Sequence, residues 1–350
     1  MAGPLLLGAW ADRRGISRAI LAASFLVPAA VMVLLQLTSF FPLYVACVIV
    51  MGFAYRATIP LLDSIVSRML TDPARQYGRL RVAGSFGFII ISLVLQLGGL
   101  VTGDSSFSIL MAFGVSCLCA ALASATLPAT PRVATAAQAP AGQTRRVSRT
   151  EFDLAFWAMI GIIFIGRFAI GAYYSFFSLY LKATFPTSGV SLLWAIGPFA
   201  EITTIWFSGP LLRRFGIRTL LVVSLAAITL RLGLFIVAPS IAVVALAQLL
   251  HAFTFGTFHT TAVAYINAKV GKENRGMGMA IYNAVGVGLA SFLASVAGGF
   301  IVEARGFTTL FASYAAIPLL GIIVLAAFGR KLLPAHLLHG DAVVDAGARE

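Results

Sequence analysis

Acidic residues are scarce in this chain. Only 12 of its 350 residues are Asp or Glu, four are His and three are Cys, and charged residues of both signs make up 11%. So few charges cannot cover a water-soluble domain of this length. Cys47, Cys117 and Cys119 lie inside apolar runs and have neither disulfide nor zinc-ligand spacing. No Lys-Ser or Lys-Thr pair closes a glycine-rich loop, so a nucleotide-binding phosphate loop is not expected. No zinc-ligand cluster, nucleophile–base pair or paired catalytic carboxylates stand out, so no enzymatic activity and no metal or cofactor is expected. The first residues lack the basic start and cleavage pattern of a signal peptide.

What the chain has instead is apolar length. Hydrophobic residues make up 60% of it and the mean hydropathy is +0.96. About 20 apolar residues at 1.5 Å rise cross a bilayer core. Runs of that size read as helices over 18–37, 42–69, 79–101, 106–127, 152–181, 189–211, 217–237, 240–268, 276–302 and 307–329. That is ten full spans, with residues 1–10 as a fragment of another. The net charge of +13 could suggest nucleic acid, but the basic residues sit in short alternate loops. Nineteen, including Arg13, Arg68, Arg79, Arg145, Arg213, Lys269 and Arg330, fall on one side, and only Lys182 and Arg305 on the other. The positive-inside rule makes the first side cytoplasmic, along with the C-terminus. The partners expected are the bilayer, a small molecule and protons, with no nucleic acid.

The chain repeats itself. GAWADRRGI from Gly8 matches GPLLRRFGI from Gly209, and MGFAYR from Met51 sits opposite HAFTFG from His251 at a similar offset. Between the copies lies an Ala-, Pro- and Thr-rich stretch without an apolar stripe, as in a flexible linker. The division expected is an N-terminal membrane half over 1–127, a cytoplasmic linker over 128–151, a C-terminal half over 152–331 and a tail over 332–350. Two parallel helical halves with a substrate site between them suit an alternating-access transporter.

GAWADRRG resembles the loop signature of the major facilitator superfamily. IPLLDS (Ile59–Ser64), YGRLRVAGSFGF (Tyr77–Phe88), LLWAIGPFAEI (Leu192–Ile202) and LLHAFTFGTFHTTAVAYI (Leu249–Ile266) resemble its phenylpropionic acid permease group. That group is itself similar to the lactose-permease and nucleoside–proton symporter branches. The resemblance implies an all-α, polytopic, two-half bundle acting as a monomer in the inner membrane. Aligned on the twelve-helix family plan, the signature leaves helix 1 absent and helix 2 partial, so an N-terminally truncated chain is expected. The resemblance further implies that Asp12 and Arg13 brace a loop, and that the substrate is an aromatic carboxylate such as 3-phenylpropionate.

Ionisable residues inside apolar runs are costly and face a bundle interior or a wet cavity. Counting 1.5 Å per residue from the loops puts Glu201, Arg231, His251 and Arg56 about 17–21 Å deep, near the midplane, with Arg167 further out. A carboxylate, an imidazole and guanidinium groups at one depth suit proton-coupled transport of an anion. Glu201 and His251 are the candidates for proton coupling, and the alternative is buried pairing that only fixes packing. Arg56, Arg231 and Arg167 are candidate anion counter-charges. His259, on the same helix as His251 but rotated by about 80° at 100° per residue, is a weaker candidate of the same kind. Tyr173 and Tyr174 belong either to an interfacial aromatic belt or to a surface that stacks an aromatic substrate. Arg56 and Asp63 fall on one face about 10 Å apart, and Pro60 between them predicts a kink. Asp63, facing Arg79 and Arg81, reads as an inner gate or a static salt bridge. The reading is a proton-coupled symporter of a small organic anion. The alternatives are a sugar or nucleoside symporter, a drug exporter, and, from other classes, an intramembrane enzyme or a non-transporting fragment.

Overall fold

The computed structural model describes residues 2–69, 73–100, 106–128, 151–187, 189–238, 240–271 and 274–333. The linker and tail expected from sequence therefore fall almost wholly outside the described residues. Among those described there is helix and no strand. Seven segments are long and apolar enough to cross a membrane, with mean hydropathy between 1.7 and 2.5, and two shorter apolar helices, Val82–Leu97 and Val190–Trp206, accompany them.

The chain forms two compact units. The first comprises Met1–Tyr77 and Val94–Arg146. It contains α1 (Ala2–Arg14), α2 (Ser17–Leu37), α3 (Phe41–Tyr55), α4 (Thr58–Met69), the ends of α5 (Pro73–Leu97) and α6 (Ser106–Ala125). Here α2 is the central helix and packs against α6, α3 and α4. Ile20 and Leu21 on α2 meet Ala57, Leu61 and Ile65, while Val31, Met32 and Leu35, about three to four turns on, meet Cys47. The expected kink is present. The run expected as one helix over 42–69 breaks between Tyr55 and Thr58, since Pro60 has no N–H to give the Arg56 carbonyl. The Ala57 N–H turns back to the Ala54 carbonyl at 3.1 Å, and helix resumes with Leu61 N–H to Ala57 O at 3.1 Å.

The second unit comprises Gly78–Leu93, the middle of α5, and Val147–Glu350. It holds α7 (Leu154–Thr184), α8 (Val190–Trp206), α9 (Ser208–Val237), α10 (Ile241–Leu249), α11 (Phe258–Lys269), α12 (Arg275–Ile281) and α13 (Ala290–Leu332). α13 packs along both α7 and α9, around a core that includes Phe156, Phe177, Leu225, Phe258 and Phe311. The faces away from that core carry bare Leu, Ile, Val and Phe, among them Leu230, Leu246, Phe300 and Ile323, as lipid-facing helices do.

Glycines in the left-handed region turn the chain where the helices reverse. Gly306, at φ 76°, breaks α13 where the sequence predicts one span to end and the next to begin. Gly15 and Gly216 occupy equivalent places in the two repeat copies, and their φ angles are 68° and 70°. Only glycine adopts such angles without strain, so the repeat is one of backbone geometry as well as of letters.

On the end of the second unit that carries Arg275 and Arg330, α7 begins with a cap. The Asp153 carboxylate accepts the Phe156 N–H at 2.9 Å and pairs with Lys269 Nζ at 2.7 Å. Burial pushes this carboxyl up, but the Lys269 hydrogen bond and charge and the Phe156 N–H outweigh it, so it lies below the usual Asp range. A lowered native value stabilises the fold above the ordinary Asp range, and that contribution fades as pH falls through the native value. We expect Asp153→Ala to lower the detergent-solubilised melting temperature more than Asp153→Asn, because Asn still caps whereas Ala forfeits about 1 kcal/mol. The Asp153→Asn difference from wild type should vanish in acid. Equal melting at pH 7 for all three proteins would contradict the cap.

Candidate functional site

The site lies within the second unit. A cavity of about 320 Å³ is lined by Gly84, Ser85 and Phe88 of α5, Tyr173 and Tyr174 of α7, Trp194, Pro198 and Glu201 of α8, and His251 and Phe255 of the α10–α11 helix. Half of these ten residues are aromatic, and Glu201 and His251 bring proton-exchanging groups to an otherwise apolar wall.

A chain of hydrogen bonds runs inward from that wall. Ser85 Oγ donates to Glu201 Oε1 at 2.8 Å. Glu201 Oε2 lies 3.2 Å from His251 Nε2, and His251 Nδ1 lies 2.9 Å from Arg231 Nη1. Arginine has donors only, so Nδ1 must accept. The imidazole is then neutral, with its proton on Nε2 pointing at the carboxylate. Arg231 is 0% exposed. It also donates to Thr254 Oγ1 at 2.9 Å and to Gln248 Oε1, and its guanidinium lies 3.9 Å over the Tyr173 ring, a cation–π contact. One carboxylate and one guanidinium thus balance through a neutral ring.

Two glycines let the elements meet this closely. A Cβ on Gly197 of α8 would sit 3.1–3.5 Å from His251 side-chain atoms, and one on Gly256 would strike Thr204 Oγ1 and come within 3.3 Å of Glu201 Cβ. α8 therefore rides directly on the segment that carries His251.

That segment, Ala252–Thr257, is a π-helix between α10 and α11, and it corrects the angular reading of the histidines. At 100° per residue His251 and His259 would diverge by about 80°. The wider π-turn unwinds the helix, and His251, Phe255 and His259 stack in one ladder, with centroids 5.4 and 5.6 Å apart and planes within 5° and 13°. Arg167 packs 5.2 Å from the Phe255 centroid. Its Nη2 donates to Tyr282 Oη at 3.1 Å and lies 3.4 Å from His259 Nδ1, which is 2.7 Å from the same hydroxyl. Arg167 is 5% exposed, and its buried Nε has no partner among the described residues.

Other sequence candidates fall differently. Arg231, expected as a counter-charge touching substrate, does not line the cavity; it is fully buried and its donors serve His251, Gln248 and Thr254. The belt alternative does not describe Tyr173, which is buried between Arg231 and the rings of Phe177 and Trp194. Tyr174 is 41% exposed and stacks on Trp194 at 6.4 Å. Arg56 is an exposed residue of the first unit, and Asp63 there is half-buried. The side chains of Asp12, Arg13, Arg79 and Arg81 lie outside those described, so the brace and the gate rest on sequence. Gln248 and Thr254 escaped sequence reasoning although each lies three residues from His251, one helical turn. Tyr282 is a hydroxylated ring in an apolar run, a weak signal. Ser85, 116 residues from Glu201, left none.

Fold and site are those of a multi-pass membrane transporter of the major-facilitator type. The sequence profile of the MFS_1 like family matches residues 1–313, and the chain belongs to that family. It is 26% identical over 311 residues to the uncharacterized transporter YwbF of Bacillus subtilis (strain 168), covering 87% of this chain and 75% of the relative. It is 29% identical over 252 residues to the "Probable 3-phenylpropionic acid transporter" of Escherichia coli (strain K12), covering 71% of this chain and 64% of the relative. Among solved structures, a mutant of the nucleoside transporter NupG has the same fold, with a TM-score of 0.76 at 20% identity over 93% of this chain and 86% of that one.

The close approach at Gly256 makes a prediction. Gly256→Ala should overpack the contact with Glu201 and Thr204 at a cost of about 1–3 kcal/mol, lowering the melting temperature of the purified protein. Unchanged melting would show that α8 is not seated as described.

Proposed function

We propose that this chain is a proton-coupled symporter that moves a small organic anion bearing an aromatic ring across the inner membrane by alternating access. The observation that carries the reading is Glu201, a carboxylate in the wall of an aromatic cavity and hydrogen-bonded to a histidine held neutral. A substrate carboxylate entering that cavity meets a like charge at short range. Two carboxylates sharing an apolar site cannot both stay ionised, so one takes a proton. Anion binding and proton uptake are thereby one event. His251 takes part by keeping its Nε2–H on Oε2 of Glu201, which leaves the other oxygen to take the proton. Arg167 supplies the fixed positive charge that remains after Arg231 and Glu201 have cancelled. Tyr174, Trp194 and Phe255 offer faces to an aromatic ring.

The relative named for 3-phenylpropionic acid supplies the first substrate to try. The basic loops support a cytoplasmic C-terminus, and the function is that of a monomer with Asp63, Arg79 and Arg81 as an inner gate. A second reading, a neutral sugar or nucleoside substrate, is favoured by one observation: among the described residues no guanidinium lines the cavity.

The test uses right-side-out vesicles with a trapped pH dye. Added 3-phenylpropionate should acidify the interior of wild-type vesicles and leave Glu201→Gln vesicles unchanged. Acidification of equal size in both would remove Glu201 from the coupling path. Acidification driven by maltose or uridine, and not by 3-phenylpropionate, would replace the anion with the neutral substrate.

A further inference from the structure

Glu201 has two carboxylate oxygens, and each has its own donor. His251 Nε2 faces Oε2, and the Ser85 hydroxyl faces Oε1 at 2.8 Å. The two donors differ in kind. His251 is fixed from behind by Arg231, and is 5% exposed. Ser85 stands in the cavity wall itself, between Gly84 and the ring of Phe88, on a helix that carries no ionisable side chain among its described positions 82–97. A hydroxyl can turn to another acceptor without moving its helix.

We propose that Ser85 is a positioning residue that sets the proton affinity of Glu201 and passes substrate occupancy to it. With the cavity empty, the hydroxyl donates to Glu201 and favours the ionised carboxylate. When a substrate carboxylate enters, it competes for the same O–H. Glu201 then loses a donor while gaining a negative neighbour, and both changes favour the protonated form. The proton goes to the oxygen that Ser85 has released, and the His251 N–H stays on the other. The proton comes from the water on the side to which the cavity is open, so an O–H of hydronium breaks as the O–H of Glu201 forms.

The other groups that face Glu201 do not provide this response. From α10–α11 comes His251. From α9 comes Arg231, acting through that ring. From α7 come the Tyr173 and Tyr174 hydroxyls and, across Phe255, Arg167. Arg231 and Tyr173 are fully buried, and Arg167 is engaged with Tyr282 and His259. His251 and Ser85 both line the cavity and hydrogen-bond the carboxylate directly, but the imidazole is held from behind by Arg231, whereas the Ser85 hydroxyl can rotate to another acceptor.

This inference rests on the proton-coupled reading, and the experiment separates the two. Initial uptake of labelled 3-phenylpropionate by right-side-out vesicles would be measured from pH 5 to 9 for wild type, Ser85→Ala and Ser85→Thr, normalised to protein in the membrane. Loss of the hydroxyl should raise the proton affinity of empty Glu201 about tenfold and move the pH of half-maximal uptake up by about one unit. Ser85→Thr, which keeps the hydroxyl, should stay within a few tenths of a unit of wild type. A folding or packing defect would lower uptake at every pH without moving the midpoint. Superimposable midpoints for wild type and Ser85→Ala, or a shift shared by Ser85→Thr, would overturn the role of Ser85 while leaving coupling by Glu201 intact. Wild-type uptake that does not vary with pH would overturn the coupling itself.

Discussion

A guanidinium sealed from water must find its partners within the protein, and Arg231 turns Nη1 and Nη2 to His251, Thr254 and Gln248, while its Nε has no partner among the described residues. Everything around the cavity follows from the bond to His251. Because arginine can only donate, the imidazole must accept on Nδ1. Its single proton is therefore on Nε2, and that proton is offered to Glu201. Removing the charge of either Arg231 or Glu201 leaves the other buried without its counter-charge, at a cost of about 3–5 kcal/mol. The geometry is thus enforced from inside the bundle, and the only end of the chain open to change is the carboxylate at the cavity.

The helices around the chain serve this arrangement. The π-segment Ala252–Thr257 turns His251, Phe255 and His259 onto one face, so a single helix carries both an imidazole for Glu201 and a ring against Arg167. Gly197 and Gly256 bring α8 close enough for Glu201 to reach. Tyr173 gives Arg231 an aromatic face where a lipid-soluble bundle has no water to give. On the other side of Phe255, Arg167, Tyr282 and His259 repeat the pattern of an arginine directed at a histidine Nδ1, with the Tyr282 hydroxyl shared between them.

The sequence made the membrane class and the internal repeat legible, and it set Glu201, Arg231 and His251 at one level of their helices. Hydropathy and loop charge are one-dimensional signals, and depth is a count along a helix. Pro60 foretold the break after Tyr55 because its missing N–H is a local property. Contacts that depend on how helices are rotated were not legible. Equal depth suggested that Glu201, His251 and Arg231 could meet, but whether they touch depends on helix phase. The phase of His259 was misread because a π-turn is a change of winding that tertiary packing imposes. Ser85 belongs to a helix far away in sequence and looks like any small residue in YGRLRVAGSFGF. Arg231 looked like a group for substrate because burial of its donors behind His251 is a three-dimensional fact.

We propose that the proton taken up with substrate resides on Glu201 while His251 stays neutral. Infrared difference spectroscopy of the purified transporter in lipid, recorded with and without 3-phenylpropionate at pH 7, tests it at the level of the bond. The account predicts that substrate produces a protonated-carboxyl C=O stretch that is absent in Glu201→Gln, with no imidazolium signal. An imidazolium signal that appears with substrate and vanishes in His251→Gln, with no carboxyl band sensitive to Glu201, would contradict it.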